Sequence, residues 1–303
     1  MISTDFPEDI FQPSPRKESS YKYMVNAGEK ICRDKKILFC GICRNVESVL
    51  ERNILCLHRT GELFKDFKIF MYENDSSDKT VDILNQYRSA KLDFITNKRD
   101  DKDYRINLNN GSDPWHFQRC KILADCRNNY LEFAKNFYHF DYLCVVDIDV
   151  AGAWSYDGIK HAIFILANNQ DYGCVSSYGV LADSNTQNNT TLEDIDQNAY
   201  IMYDSLAFRP IAVNNVHMSR LNIFGELNFS RGDDPIEVNS NFGGMAIYKM
   251  NLIKDKTYDA KEWASGYTDP DHVIFNRQIQ KDGYKIILDP NMITSYSHHR
   301  YSK

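Results

Sequence analysis

Two aspartates one residue apart, Asp147 and Asp149, close the apolar run Tyr142-Leu143-Cys144-Val145-Val146. Carboxylates at the end of a strand buried on both faces are costly unless a cation neutralises them. The carboxyl edge of an open α/β sheet is also where ligands bind. Hard oxygen donors of this kind suit Mg²⁺ or Mn²⁺, and such an ion typically bridges to phosphate oxygens. The plainer reading is a cap on the turn that continues through Ala151-Gly152-Ala153.

Four further groups carry chemistry. Glu73-Asn74-Asp75-Ser76-Ser77-Asp78 offers Glu73 and Asp78 as acceptors for ribose hydroxyls or a base N–H, or as parts of a turn and helix cap. Arg44 suits bidentate phosphate contact or a surface ion pair. Arg119 and Arg127, eight apart on one helix, reach towards a diphosphate or lie on a solvated face. In Thr268-Asp269-Pro270-Asp271-His272, either Asp269 or Asp271 could take a proton from a hydroxyl or cap the following helix. A neutral imidazole from His298 or His299 would make a third metal ligand, if these terminal residues are not simply exposed; His116 reads as structural.

These residues need a scaffold that brings them together. Lys36–Cys43, Phe67–Tyr72, Leu92–Thr96 and the run ending at Asp149 read as strands. Between them, helical spacing covers Ser48 to about His58, Val81–Tyr87 (capped by Ser77 or Asp78) and Phe117–Phe137. Ile159–Ala167 and Asp271–Gln280 follow as helices, with Tyr172–Ser177, Gly243–Tyr248 and Tyr284–Leu288 as strands. Strand and helix in alternation predict a doubly wound, mostly parallel α/β sheet flanked by helices, with the acidic loops gathered on one edge. The polar stretch Ala182–Asn198 reads as a long loop, and its part from Asp183 as an acceptor-side lid.

Composition bounds the function. The chain has 303 residues, a net charge of −6 and no long basic block, which argues against nucleic acid or anionic membrane as a partner. Residues 1–30 read as a polar tail with no apolar signal core, and no window approaches the ~20 apolar residues of a membrane span. A soluble, cytoplasmic protein is expected. The eight cysteines, several inside apolar runs, behave as buried hydrophobes, and Cys40-Gly41-Ile42-Cys43 has no second C-x-x-C partner. Residues 31–303 read as one domain with a nucleotide-binding half (31–150) and an acceptor half (151–303).

Taken in order, the pieces resemble a nucleotide-sugar-dependent glycosyltransferase of the GT-A fold, over about Lys36 to His299. Asp147-Ile148-Asp149 resembles that fold's DxD motif, Glu73–Thr80 its acidic, Ser-rich nucleotide motif, and Gly243-Gly244-Met245 its Gly-rich segment near the donor sugar. A closer likeness is to the cryptococcal capsule-associated mannosyltransferase group, through Lys121–Asn128, Tyr203-Asp204 and Arg209. The resemblance implies a UDP- or GDP-sugar donor, a glycan or other hydroxyl acceptor, and a hexose, mannose included, as the group moved. It implies Mn²⁺ or Mg²⁺ held by Asp149 with help from Asp147, a donor site that includes Gly244, and Asp271 or Asp269 as base if the enzyme inverts. Glu73-Asn74 departs from the paired Asp of the large inverting family, Asp271 is followed by His, and the mannosyltransferase group is thought to retain configuration.

Two other classes compete. A sugar nucleotidyltransferase would want a richer Gly/Lys loop than Gly41-Ile42-Cys43-Arg44-Asn45. A non-catalytic nucleotide-sugar or glycan-binding module would keep the fold and lose turnover, against which the intact acidic pair argues.

Overall fold

The computed structural model describes residues 2–99, 117–182, 200–204, 206–211, 227–264 and 268–296. Its centre is a ten-stranded sheet in the order β3-β2-β1-β4-β9-β5-β12-β8-β7, with β6 paired to β5. The strands are β1 (Lys36–Cys43), β2 (Asp66–Asn74), β3 (Leu92–Asn97), β4 (Tyr142–Val146), β5 (Tyr172–Ala182), β6 (Tyr200–Met202), β7 (Arg209–Pro210), β8 (Ile236–Ser240), β9 (Met245–Lys249) and β12 (Lys285–Ser295). A two-stranded ribbon joins β10 (Lys261–Glu262) to β11 (Thr268–Asp269). The helices are α1 (Glu18–Cys32), α2 (Glu47–Gly61), α3 (Thr80–Tyr87), α4 (Phe117–Ala134), α5 (Tyr156–Asn168) and α6 (Asp271–Lys281).

β1 shows why the sheet is covered on both faces. Leu38 and Cys40 enter one core with Ile122, Tyr130 and Phe275, whereas Ile37 and Phe39 enter the other with Leu50, Ile54 and Ile163. Alternate side chains of a strand point to opposite faces, so an unbroken apolar run needs a helix layer on each. α4 and α6 supply the first layer, and α2, α3 and α5 the second. The sheet is thus doubly wound and mostly parallel, as its pattern predicts: β2, β1 and β4 pair in parallel, as do β5 and β12. The antiparallel insertion of β9 between β4 and β5 is not legible in the sequence. That pairing also places strands from either side of residue 150 next to each other in one sheet.

The chain turns back on itself between β1 and β4. From β1 it moves outward through α2, β2, α3 and β3, then re-enters on the other side of β1 as β4, with α4 on the opposite face. Such a reversal splays the loops at the strands' carboxyl ends and leaves a crevice there.

Three expectations need correction. Residues 1–30 are no tail. Phe6 and Phe11 stack with ring centroids 5.4 Å apart and are buried, Glu8 pairs with Arg231, and α1 packs along α5. That packing depends on Gly28, where a Cβ would lie 1.9 Å from the Lys160 carbonyl oxygen. Two phenylalanines in a charged segment were masked by its mean polarity. Second, Lys79 rather than Ser77 or Asp78 holds the cap position of α3, but the capping oxygen is that of Asp78, whose Oδ1 accepts from the Thr80 N–H at 2.9 Å. Third, the last strand, expected over Tyr284–Leu288, runs on as β12 to Ser295; a register shift between Asp289 and Ile293 absorbs Pro290. All eight cysteines are buried thiols, and among the described residues no helix is long and apolar enough to cross a membrane.

Candidate functional site

An open cleft of about 340 Å³ occupies the crevice between β1 and β4. Its polar side is built by residues that follow parallel strands: Arg44 after β1, Asn74 ending β2, and Asp147 and Asp149 after β4. α4 adds Arg119 and Arg127. The second half of the chain supplies Tyr203, Asp204, Phe242, Asp271 and His272.

Asp147 is tied down on three sides. Its backbone N–H donates to the Gly244 carbonyl at 2.9 Å, its Oδ2 accepts from the Tyr296 hydroxyl at 2.8 Å, and its Oδ1 lies 3.6 Å from Arg127 Nη2. The antiparallel register Val146↔Met245 is what brings the Gly243-Gly244 turn beside it. Gly244 has φ +94°, and a Cβ there would stand 2.5 Å from the Tyr296 hydroxyl, so only glycine lets the turn and the tyrosine share this space. Burial, then the like charge of Asp149, pushes the Asp147 carboxyl up to about 7 against the pull of Arg127 and Tyr296. Asp149 is exposed at the cleft floor; desolvation by the walls raises its carboxyl too, opposed by Arg127 and Arg119.

Arg127 is the hinge of the electrostatics. It is 5% exposed, and its Nε donates to Asp271 Oδ2 at 2.5 Å. Burial opposes its charge, but Asp271 and Asp147 outweigh burial and hold the guanidinium protonated. Of the two expectations for Arg127, diphosphate contact or a solvated face, the second is corrected: the side chain is buried in the cleft wall and bridges two carboxylates. Asp271 is the first residue of α6, with Pro270 as its cap residue, where the helix dipole favours an anion. Burial works against the Asp271 charge, yet Arg127 holds its carboxyl below the ordinary range.

Asp204, which also lines the cleft, has φ +69° and accepts from the backbone N–H groups of Gly243 (3.1 Å) and Ala207 (3.3 Å). Burial pushes its carboxyl up to about 6. Beside it, Tyr203 stacks on Tyr296 with centroids 3.6 Å apart. His272 lies flat on Phe242, centroids 3.8 Å apart, and burial with Arg127 lowers its imidazole to about 3.

Other sequence candidates lie elsewhere. Glu73 is buried, accepting from the Ser76 N–H at 2.8 Å and from the Thr96 hydroxyl, so it shapes its own loop. Asp78 accepts from the backbone N–H of Glu47 (3.0 Å) and of Thr80 (2.9 Å), tying the starts of α2 and α3 together. Neither lines the cleft. Asp269 is the centre of a buried network with Arg209 (3.2 Å), Arg277 (2.5 Å) and the Trp263 indole (2.7 Å), outside the cleft. His116, His298, His299 and the segment Asp183–Asn198 lie outside the described residues. Sequence reasoning did not find Tyr296, which follows the last strand with no spacing signal, or Asp204 and His272 as groups of this cleft.

A divalent ion finds two hard carboxylates here, Asp147 and Asp149. Burial raises both carboxyls, and for Asp147 the like charge of Asp149 adds to it; a bound cation would offset both costs, and this fits Mg²⁺ or Mn²⁺. Among the described residues no group of three or more His, Cys, Asp or Glu side chains converges.

No family model matches the chain, and no curated protein does. Solved structures are similar to it at low identity. A mannosyltransferase from Pyrobaculum calidifontis in complex with GDP-Man and Mn²⁺ is 11% identical, with 92% of this chain and 66% of that one covered and a TM-score of 0.48. TarS of S. aureus (residues 1–349) with UDP-GlcNAc is 12% identical, covering 88% and 60%, TM-score 0.47. GalNAc-T7 with UDP, GalNAc and Mn²⁺ is 11% identical, covering 99% and 56%, TM-score 0.49. The chain thus spans 56 to 66% of the length of these proteins.

Proposed function

We propose that this chain is a metal-dependent glycosyltransferase of the GT-A type, moving a hexose from a UDP- or GDP-sugar to a hydroxyl acceptor. The observation that carries the reading is the Asp147/Asp149 pair at the carboxyl end of β4, in a cleft at the sheet's reversal point with Arg44 and Arg119 on its walls. In this reading Asp149, the exposed carboxylate, and Asp147 would hold Mn²⁺ or Mg²⁺. The bound ion would neutralise the diphosphate that leaves as the glycosidic bond breaks. Arg44 and Arg119 add positive charge at the same rim, and Tyr296 and Gly244 fix the orientation of Asp147. Neither Glu73 nor Asp78 takes a donor-binding role, because both are spent on their own loops.

Proton removal from the acceptor falls to Asp204 rather than Asp271 or Asp269. A general base works best with a pKa near the working pH. Asp204, with its carboxyl near 6, meets that better than Asp271, which Arg127 holds low, or Asp269, which two arginines engage. This role belongs to an inverting attack, in which Asp204 takes the hydroxyl proton as the acceptor oxygen joins the anomeric carbon. The test is nucleotide release from a panel of UDP-, GDP- and CMP-sugars with Mn²⁺, with and without neutral glycan acceptors. Acceptor-stimulated release from one UDP- or GDP-sugar, lost in Asp149→Ala, supports the reading. No release from any donor, or full activity in Asp149→Ala, sinks it.

A further inference from the structure

Besides its acidic pair and arginines, the cleft has a stretch of lining from the second half of the chain. Leu206, Ala207, Phe242 and Pro270 make it apolar, and His272 and Arg127 border it. His272 is 4% exposed, yet neither ring nitrogen has a hydrogen-bond partner among the described residues. Arg127, 5% exposed, also leaves its Nη1 without a partner among the described residues. Buried polar atoms are hydrogen-bonded with few exceptions, and an unmade bond costs about 1–3 kcal/mol. Two such side chains on one cleft wall are the mark of a ligand that completes them.

From this we infer that His272 is a specificity-determining residue, binding a hydroxyl of an uncharged sugar acceptor that lies against the Phe242–Pro270 wall. The inference rests on the transferase reading of the same cleft. Three features set the ligand class. A sugar ring presents apolar C–H faces as well as hydroxyls, which matches a lining of four apolar residues and few polar groups. A neutral imidazole has one N–H donor and one bare acceptor nitrogen, and a hydroxyl satisfies either. His272 is held neutral because burial and the nearby Arg127 disfavour its cation. Finally, the charges acting on His272 are those of the paired Arg127 and Asp271, which offset each other, so a carboxylate or phosphate finds no surplus positive charge beside it. An acidic sugar is selected against.

The test follows the ring nitrogens of His272 by ¹⁵N NMR, assigned with His272→Gln, while methyl α-mannoside, methyl α-glucoside and methyl glucuronide are added with UDP or GDP and Mn²⁺ present. The expected result is a His272 shift with a neutral glycoside and none with the glucuronide. In the transfer assay, His272→Phe should raise the acceptor KM at least about tenfold, the worth of one lost hydrogen bond in a buried site, with nucleotide affinity unchanged. A His272 signal unmoved by any neutral glycoside in a protein that binds nucleotide overturns the assignment, as does a stronger response to the glucuronide. A protein that binds no nucleotide but shows the neutral-glycoside shift refutes the transferase reading and leaves this assignment standing.

Discussion

Replacing Arg127 by Met removes the ion-pair partner that Asp271 has among the described residues. Asp271 is 3% exposed and accepts from Arg127 at 2.5 Å, so the substitution strands a buried carboxylate. Breaking a buried pair this way costs about 3–5 kcal/mol. For 303 residues the unfolding entropy is roughly 0.6 kcal/mol/K, so the melting temperature should fall by about 5–8 °C. Replacing both partners, Arg127→Met with Asp271→Leu, exchanges the pair for apolar volume and is close to neutral in comparable sites. Asp147 then keeps the Tyr296 hydroxyl and its side chain's 25% exposure, which limit its own penalty. The double variant should therefore recover at least about 2 kcal/mol of the single-variant loss, measured by urea unfolding followed by circular dichroism. Additive losses, or a cost below about 1 kcal/mol for Arg127→Met alone, would refute the bridging role.

Three further outcomes follow from the geometry. Gly244→Ala forces a Cβ to 2.5 Å from the Tyr296 hydroxyl at φ +94°, so it should cost about 1–3 kcal/mol and weaken Mn²⁺-dependent nucleotide binding, read by melting curves with and without nucleotide. Asp78→Ala removes acceptors from the starts of two helices and should cost about 1–3 kcal/mol while leaving nucleotide affinity within twofold, since Asp78 lies off the cleft. His272 titrates near 3 in the fold against an ordinary 6.5, so the unfolded chain binds a proton that the native state refuses. Its contribution to stability is thus lost as pH falls from about 6.5, by about 1.4 kcal/mol per unit, while Asp147 and Asp204, raised to about 7 and 6, act in the opposite sense. Subtracting the pH–stability curve of His272→Phe from that of the wild type should expose the His272 slope, and a flat difference would contradict its buried neutral state.

The parts legible in the sequence were those set by local periodicity. β1 and α6 fall within a residue or so of their pattern because an unbroken apolar run and a 3.6-residue stripe are local signals. The acidic pair after β4 was legible for the same reason: its meaning depends on the strand that delivers it. What escaped was non-local. Tyr296 reaches Asp147 across 149 positions of sequence, and the insertion of β9 that brings Gly244 to the same carboxylate is a choice of pairing, not of propensity. Arg127 shows the deeper limit. Its spacing with Arg119 left a phosphate-facing pair or a solvated face open, but one turn of a helix packed between Asp147 and Asp271 makes it an internal counter-ion. Asp269 and Asp271 stand two residues apart with the same chemistry in sequence, and only the fold commits the first to Arg209 and Arg277 and the second to the cleft.

The central claim is that the crevice between β1 and β4 holds a nucleoside diphosphate through its acidic pair. Titration calorimetry of UDP, GDP and CMP into the protein, with Mn²⁺ and with EDTA, tests it most directly, with Asp149→Ala as the comparison. Asp149 is exposed, so its loss should leave the fold intact within about 0.5 kcal/mol. The account predicts Mn²⁺-dependent binding of UDP or GDP, weakened at least about tenfold in Asp149→Ala, a loss of about 1.4 kcal/mol. Binding of no nucleoside diphosphate, or equal affinity in Asp149→Ala, would contradict it.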